Sequence, residues 1–208
     1  MTSVELPVSP SPHFAETLAQ AAIAFRQGTP RPPAASVIAA LLAAEKATRQ
    51  GHTRFSLEAI AGRWRLYFAT GVKKNRQGVT RVSRGFYLPQ WIPAYISFTP
   101  GTADCPGVIT NQIALAGLRL KFTGPCRYQA KKNLLAFDFT QLQLDMLGAT
   151  LYRGDVRGGK AQADNFEQRA IAQLPFFAFF QVTEDYIAAR GRGGGLALWI
   201  RDNSPSGN

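Results

Sequence analysis

The chain has few of the residues that build metal sites and nucleophilic catalytic centres. Its 208 residues include two cysteines, Cys105 and Cys126, and two histidines, His13 and His52. The cysteines lack the spacing of a metal site, and two histidines are too few to complete one. The sequence therefore predicts no metal and no resident cofactor. It predicts that the cysteines are buried or loop thiols, with a disulfide between neighbouring strands as the alternative.

Long apolar runs are also missing from the sequence. No segment reaches the roughly 18 consecutive apolar residues of a membrane-spanning helix. The first residues lack a basic stretch followed by an apolar one, so no signal peptide is expected. With 46% hydrophobic and 18% charged residues, the chain can bury a sizeable core. If the protein meets a membrane, we expect it to lie on the surface.

Acidic residues are scarce in the middle of the chain. Residues 59–137 contain twelve lysines and arginines against one acid, Asp104, whereas the rest of the sequence is nearly balanced. This segment therefore accounts for the net charge of +11. A cationic flank of this size predicts a negatively charged partner. The charge alone does not distinguish nucleic acid from an anionic membrane.

Helical spacing of apolar residues is confined to the first quarter of the chain. Ser11 and Pro12 predict the start of a helix that ends near Gln27, and a second helix is expected from about Ala35 to Gln50. These two helices are expected to cap one end of the body that follows, with detachment onto a membrane surface as the alternative. The predicted organisation is a flexible lead-in at 1–10, a helical segment at 11–55, a β-barrel at 56–202 and a flexible tail at 203–208.

An alternating pattern of apolar and polar residues replaces the helical one after residue 61, and turn signals separate most of its segments. The segments are Gly62–Phe68, Ala94–Phe98, Ile109–Leu115, Leu118–Phe122, Leu134–Leu144, Phe176–Val182, Tyr186–Arg190 and Leu196–Ile200. About eight short strands predict a mainly β fold, an antiparallel barrel or sandwich. Gly117 alone separates two segments, which are either a hairpin or one bent strand. A closed eight-stranded barrel has room for side chains or one small ligand.

No set of residues predicts a catalytic centre, so the chain is not expected to be an enzyme. Glu184 and Asp185 are adjacent, but neighbours on a strand point to opposite faces. Asp138 interrupts an apolar segment and is either an outward residue or a buried group with a partner. An enzyme acting on a pigment or lipid stays an alternative, with Cys126 and Asp138 as its weak candidates.

An aromatic segment follows the cationic one. Residues 86–95 are apolar, aromatic and uncharged, and two prolines make them a poor central strand. Aromatic side chains beside basic ones are typical of an interfacial anchor, so an anionic membrane is favoured and nucleic acid is not expected. Closure of one barrel mouth by Phe86 and Trp91 is the alternative. The predicted membrane-facing residues are Lys73, Lys74, Arg76, Arg81, Arg84 and Trp91.

Three segments together resemble one protein family. Ile60–Leu66 resembles the Gly-x-Trp opening strand of the plastid lipid-associated proteins, also called plastid fibrillins. Residues 131–140 resemble the middle of one subgroup of that family. Thr183–Arg201 resembles its closing hairpin, with an acid, an Arg-Gly pair, a Gly-rich turn and an apolar strand. The likeness covers roughly residues 35–201. The lack of a transit peptide fits a cyanobacterial-type member, with a mature chain whose targeting segment is absent as the alternative.

The resemblance implies a lipocalin-like antiparallel barrel that binds a hydrophobic small molecule such as a lipid, a carotenoid or a prenylquinone like plastoquinone. It also implies peripheral association with thylakoid membranes, on the cytoplasmic side in a cyanobacterium or the stromal side in a plastid. Family members are linked to photoprotection and to lipid, pigment or quinone handling. The chain departs from the family pattern at Ile187 and Ala189, where relatives often carry Arg and Ser.

The candidate ligand cavity is assigned to inward residues of the predicted barrel. These residues are Trp64, Leu66, Phe68, Ile96, Phe98, Ile113, Leu120, Phe122, Phe137, Phe139 and Tyr186. Arg190 or Asp185 is expected to orient the polar end of the ligand. Contact with the apolar wall and release of water would supply the affinity.

The floor of the barrel is assigned to three residues. As in lipocalin-like barrels, Gly62 is expected to turn tightly under the floor and Trp64 to plug it. Arg201, on the last strand, is expected to pack over the indole ring as a cation–π contact. The many phenylalanines leave one further alternative open: a structural scaffold whose barrel is filled by its own side chains and which docks photosynthetic membrane proteins.

Overall fold

The structure is a computed structural model that describes residues 13–74, 78, 80–102, 107–156, 159 and 165–202. The predicted lead-in and tail lie outside the described residues. So do the predicted helix start at Ser11 and Pro12, the cation Arg76, the thiol Cys105 and the side chain of Lys74.

Three α-helices precede the sheet: α1 His13–Gln27, α2 Ala34–Gln50 and α3 Leu57–Ile60. The two predicted helices are confirmed, with the predicted ends at Gln27 and Gln50. The short helix α3 was not predicted. It begins after Ser56, whose hydroxyl accepts a hydrogen bond from the backbone N–H of Ala59 at 3.2 Å and caps the first turn.

The described residues form eleven β-strands. They are β1 Gly62–Lys74, β2 Thr80–Tyr87, β3 Ala94–Thr99, β4 Gly107–Leu115, β5 Leu118–Gln129, β6 Leu134–Phe137, β7 Gln141–Met146, β8 Ala149–Asp155, β9 Phe176–Val182, β10 Tyr186–Gly191 and β11 Leu196–Arg201. Eight of them close a ring in the order β4-β3-β1-β11-β10-β9-β6-β5, because β5 pairs with β4 again. Every pairing is antiparallel. The predicted mainly β class and the antiparallel barrel of about eight strands are confirmed.

Three strands extend the barrel at one end. β2 continues from the second half of β1, and the β7–β8 hairpin continues from the first half of β5. β4 and β5 form a hairpin around Ala116 and Gly117, which settles the question of one bent strand. The prediction of one strand over Leu134–Leu144 is wrong, because the chain leaves β6 at Phe137 and crosses to β7 at Gln141.

One apolar cluster fills the barrel near its floor, the end at Gly62, Trp64 and Arg201. We call it the interior cluster; its buried members are Ile60, Trp64, Ile96, Phe98, Ile109, Cys126, Leu135, Phe137, Phe179, Ile187, Ala189 and Trp199. Aromatic rings interlock within it: the ring centroids of Phe98 and Phe179 lie 5.8 Å apart, nearly perpendicular. Buried apolar side chains occupy this half of the barrel.

A second apolar cluster lies outside the barrel wall, under α1 and α2. This outer cluster comprises Leu18, Ala21, Ala22, Val37, Ala40, Leu41, Ala44, Tyr67, Phe68, Phe180, Tyr186, Ala188, Leu196, Leu198 and Ile200. The expectation that the helices cap a barrel end is therefore wrong, since they cover the side formed by β1, β10 and β11. The physical reason is visible in β10, where four consecutive buried residues, Tyr186 to Ala189, make both faces of the strand apolar.

Candidate ligand cavity at the barrel mouth

An apolar cavity of about 450 Å³ opens at the mouth, the barrel end at Ala94, Ile113 and Leu120. Its lining is contributed by β1, β2, the connection between β2 and β3, and strands β3 to β5. The lining residues are Leu66, Phe86, Leu88, Pro89, Ile92, Ala94, Asn111, Ile113, Leu120 and Phe122. Asn111 is the polar side chain among them. The arrangement suits a hydrophobic molecule with one polar group.

The connection between β2 and β3 forms one wall of the cavity because it cannot continue as a strand. Pro89 and Pro93 have no backbone N–H to donate to a ladder. Two of its amides are hydrogen-bonded: Leu88 N–H donates to the carbonyl of Tyr67 at 2.9 Å, and Ile92 N–H donates to that of Pro89 at 3.1 Å. The segment is thereby held across the mouth.

The eleven predicted cavity residues fall into three groups. Four line the mouth cavity, namely Leu66, Ile113, Leu120 and Phe122. Five belong to or pack against the interior cluster, namely Trp64, Ile96, Phe98, Phe137 and Phe139. The remaining two, Phe68 and Tyr186, belong to the outer cluster and do not face the barrel interior. The predicted cavity residues are thus divided among the opening at the mouth, the barrel interior and the wall under the helices.

The assignment of Phe68 and Tyr186 to the cavity is wrong for two different reasons. A β-bulge in β1 between Leu66 and Phe68 breaks the alternation, so Phe68 turns to the helices. Tyr186 stands directly opposite Ile200, and both face the helices. The inward residue of that part of β10 is Ile187, which belongs to the interior cluster.

The two residues predicted to orient the polar end of a ligand form ion pairs with residues of the helices instead. Arg190 donates through Nε and Nη2 to the two carboxylate oxygens of Glu45 on α2, at 2.7 and 2.6 Å. These hydrogen bonds raise the pKa of Arg190. Asp185 accepts from the guanidinium of Arg26 on α1 at 2.5 Å. Neither residue lines the mouth cavity, so Asn111 replaces them as the candidate polar contact.

The floor has the contacts that were predicted for it. The guanidinium carbon of Arg201 lies 3.9 Å from the ring centroid of Trp64, which confirms the cation–π contact. Trp64 is fully buried, and its indole N–H donates to the carbonyl of Ile60 at 2.8 Å. Gly62 adopts a φ of 116°, a conformation that a residue with a side chain rarely takes.

The described cations of the predicted membrane-facing set lie beside the mouth. Val82 packs against the outer cluster, so its neighbour Arg81 faces the other side of β2. Lys73 stands directly opposite Arg81 in the β1–β2 ladder and shares that side. Arg84 lies on the same strand as Arg81, at the β-bulge between Val82 and Gly85. Trp91, in the connection across the mouth, is 69% exposed.

Cys126 and Asp138, the two weak candidates for a catalytic role, are both buried. Burial raises the pKa of the Cys126 thiol to about 12, which keeps it protonated and unreactive at neutral pH. Asp138 is buried and accepts a hydrogen bond from Arg169 at 2.5 Å.

Within the described ranges, His, Cys, Asp and Glu do not form a group of three that would suit a metal ion. No helix among those residues combines the length and apolarity needed to cross a bilayer.

A buried carboxylate, Asp145, ties together the strands that carry the apolar wall beyond the cavity. It accepts hydrogen bonds from Gln143 at 2.9 Å, from Thr150 at 2.8 Å and from Arg119 at 2.9 Å. The bonds from Gln143 and Thr150, followed by that from Arg119, lower the pKa of Asp145 to about 2. The three donors belong to β5, β7 and β8, so the ionised carboxylate holds the strands in register.

Stability should therefore fall as the pH drops from about 4 to about 2. An unfolded aspartate has a pKa of about 3.9, so the stabilisation is complete above that pH and is lost as Asp145 takes up a proton in the folded protein. We expect the urea midpoint of Asp145→Asn to depend less on pH than that of the wild type in this window. Asp155→Asn, at an exposed position of the same hairpin, should keep the wild-type slope; equal slopes in all three proteins would contradict the assignment.

Sequence reasoning assigned part of the cavity wall to another role. Phe86 and the apolar residues after it were predicted to anchor a membrane, with closure of the mouth as the alternative, and Phe86, Leu88 and Ile92 line the cavity. The signal was present in the sequence, as an uncharged aromatic segment with two prolines just before β3. What the pattern did not provide was the position of this segment across the mouth.

Comparison of the chain with protein-family models, with curated proteins and with solved structures finds no match in any of the three. The resemblance of three segments to the plastid fibrillins therefore stays a prediction.

Proposed function

We propose that this protein is a non-enzymatic lipid-binding barrel that takes up a hydrophobic small molecule at its mouth. The observation that carries the proposal is the apolar cavity of about 450 Å³, which opens above the filled floor. Small-molecule sites typically measure about 300–1,000 Å³ and combine apolar walls with a few polar groups. The cavity falls in that range, and Asn111 supplies one polar group.

The chemistry of the lining defines the class of ligand. Isoleucine, leucine and phenylalanine side chains offer contact without hydrogen bonds, so affinity would come from water release at about 25 cal/mol per Å² of buried apolar area. A ligand that buries about 250 Å² would gain roughly 6 kcal/mol before the entropic cost of binding. A lipid chain, a carotenoid end group or a prenylquinone tail has this character. The resemblance to plastid fibrillins favours the same ligands.

We further propose that the protein lies peripherally on an anionic membrane with its mouth toward the lipid. Lys73, Arg81 and Arg84 lie at that end and would each contribute about 1 kcal/mol near an anionic surface, before screening by salt. The thylakoid surface, and a part in photoprotection or pigment and quinone handling, enter this proposal from the family resemblance.

A tryptophan placed in the cavity should block ligand binding. Ile113→Trp adds bulk at a lining position that is 42% exposed, so the fold should tolerate it. Val108→Trp is the matched control, because Val108 is 40% exposed on the same strand and points to the opposite face. Titration with the fluorescent fatty acid cis-parinaric acid should show at least tenfold weaker binding for Ile113→Trp and unchanged binding for Val108→Trp. Absence of binding by the wild type, or equal binding by all three, would refute the cavity as the site.

The filled floor supports a second candidate, the structural scaffold that docks photosynthetic membrane proteins. Trp64, Phe98 and Phe179 occupy space that a deep ligand would need. Native mass spectrometry of protein purified from its host distinguishes the candidates. A retained lipid or pigment mass supports the binding function, and a bare chain that does not bind the fatty acid supports the scaffold.

A further inference from the structure

The large apolar side chains that the structure exposes are concentrated on two hairpins beside the mouth. Of the thirteen that are exposed among the described residues, eight lie on the β4–β5 and β7–β8 hairpins: Val108 at the floor end of β4, and seven nearer the mouth. These seven are Ile113, Leu115, Leu118, Met146, Leu147, Leu151 and Tyr152. A monomeric protein rarely presents a continuous apolar surface of this kind without a partner for it.

The exposed residues continue the wall of the cavity. Ile113 and Leu120 line the cavity and stand directly opposite each other. Two residues further toward the turn, Leu115 stands opposite Leu118, and Leu118 stands opposite Met146 on β7. Residues two apart on a strand share a face. An apolar strip therefore runs without interruption from the cavity to the two turns.

The turns of the two hairpins are joined into one tip. Each turn has two residues with positive φ: Ala116 at 49° with Gly117 at 82°, and Leu147 at 49° with Gly148 at 88°. The backbone N–H of Leu147 donates to the carbonyl of Gly117 at 2.9 Å, so the turns lie side by side. We call Leu115, Leu118, Met146 and Leu147 the apolar tip.

Leu147 is an unfavourable choice for a turn that faces water. Two-residue turns with positive φ favour Asn, Asp or Gly at this position, because a leucine side chain crowds the backbone there. Leu147 carries that steric penalty and is also 85% exposed. An asparagine would relieve both disadvantages. A leucine at this position is favourable only where its large apolar side chain is in an apolar environment.

The charges at this end of the barrel indicate the nature of that environment. Lys73, Arg81 and Arg84 lie on β1 and β2 at the same end of the barrel. On the four strands of the two hairpins the acidic residues are Asp145 and Asp155. Asp145 is buried and bound to Arg119, and Asp155 lies at the end of β8 away from the turn. An apolar tip flanked by cations is complementary to acyl chains beneath anionic headgroups.

We propose that the apolar tip inserts among the acyl chains of an anionic bilayer, while the cations of β1 and β2 bind the headgroups. The strip from Met146 to Ile113 then forms an apolar route between bilayer and cavity, along which a ligand enters without crossing water. This inference rests on the proposed function for the identity of what moves along the strip. The insertion itself rests on the tip.

Flotation of the full-length protein with vesicles tests the insertion. Leu147→Asn keeps a residue that tolerates positive φ and removes the apolar group, so the turn should form as before. We expect wild-type protein to float with vesicles of phosphatidylcholine containing 30% phosphatidylserine, and Leu147→Asn to float at least tenfold less. Ile23→Asn is the matched control, because Ile23 is 48% exposed on α1. It should float like the wild type.

The outcomes separate this inference from the proposed function. Flotation of Leu147→Asn equal to that of the wild type, or an equal loss in Ile23→Asn, overturns the insertion while fatty-acid binding still supports the cavity. Loss of flotation in Leu147→Asn alone supports the insertion, even if no protein binds the fatty acid. A wild-type dimer that Leu147→Asn converts to a monomer, without flotation, shows that the tip joins two copies and overturns the proposal. Equal wild-type flotation with vesicles of phosphatidylcholine alone overturns the part assigned to the cations.

Discussion

Trp64→Ala should lower the stability of the protein by about 3–5 kcal/mol, the usual cost of truncating a buried tryptophan. Trp64 is fully buried at the floor, where it packs in the interior cluster. Its loss leaves a cavity that β1 cannot close, because the strand is paired on both sides, with β3 and β11. For a domain of this size, each kcal/mol corresponds to roughly 2–4 °C. We therefore expect the melting temperature to fall by about 6–20 °C.

The cost of Trp64→Ala includes two contacts beyond burial. Arg201 loses the ring under its guanidinium, and the carbonyl of Ile60 loses the indole N–H that ties α3 to the barrel. Trp91→Ala is the matched control, since Trp91 is 69% exposed at the mouth and should change the melting temperature little. A similar fall in both variants, or none in Trp64→Ala, would show that Trp64 does not close the floor.

The sequence predicted the barrel well because its strands are short, alternating and separated by turn residues. Phe176–Val182 was predicted with the bounds that the structure has, and Ala94–Phe98 is one residue short. Both strands are bounded by residues that stop a ladder, such as Pro93 and Pro175. Local chemistry therefore fixes these elements, and no information about distant residues is needed to find them.

The sequence did not reveal which face of each strand turns inward. One additional residue in β1, at the bulge before Phe68, moves every later side chain of that strand to the other face. Apolar residues on both faces of β10 leave no polar face to mark the outside. Phe68 and Tyr186 were therefore assigned to a cavity that they do not reach. Their position depends on α1 and α2, whose packing against the wall is a long-range effect.

The prediction of one strand over Leu134–Leu144 failed for a related reason. The segment contains no glycine or proline, so no turn signal marks the crossing from β6 to β7. The break is imposed by β5, which pairs with β6 through Gln129 and its neighbours and with β7 through Leu118 and its neighbours. The sequence of residues 134–144 cannot show that the long strand β5 pairs with two different strands, β6 and β7, along one edge.

Gly124 lies where β5 changes partner, and Gly124→Ala should cost about 3 kcal/mol, at the upper end for overpacking. An added Cβ would lie 1.8 Å from the backbone oxygen of Asp138 and 3.0 Å from the Cα of Phe139. Both atoms belong to the main chain, so no side-chain rotation can relieve the clash. The crossing between β6 and β7 would have to move away from β5.

Moving that crossing breaks the hydrogen bonds that hold it. Asp138 N–H donates to the carbonyl of Pro125 at 3.1 Å, and Thr140 N–H donates to that of Thr123 at 3.0 Å. We expect guanidinium denaturation to show the loss for Gly124→Ala. Gly193→Ala should leave the midpoint unchanged or slightly higher, because nothing lies within 4 Å of its added Cβ. Equal midpoints for the two variants would mean that the backbone can shift at the crossing. The close approach of Asp138 and Phe139 to Gly124 would then not determine the path of the chain from β6 to β7.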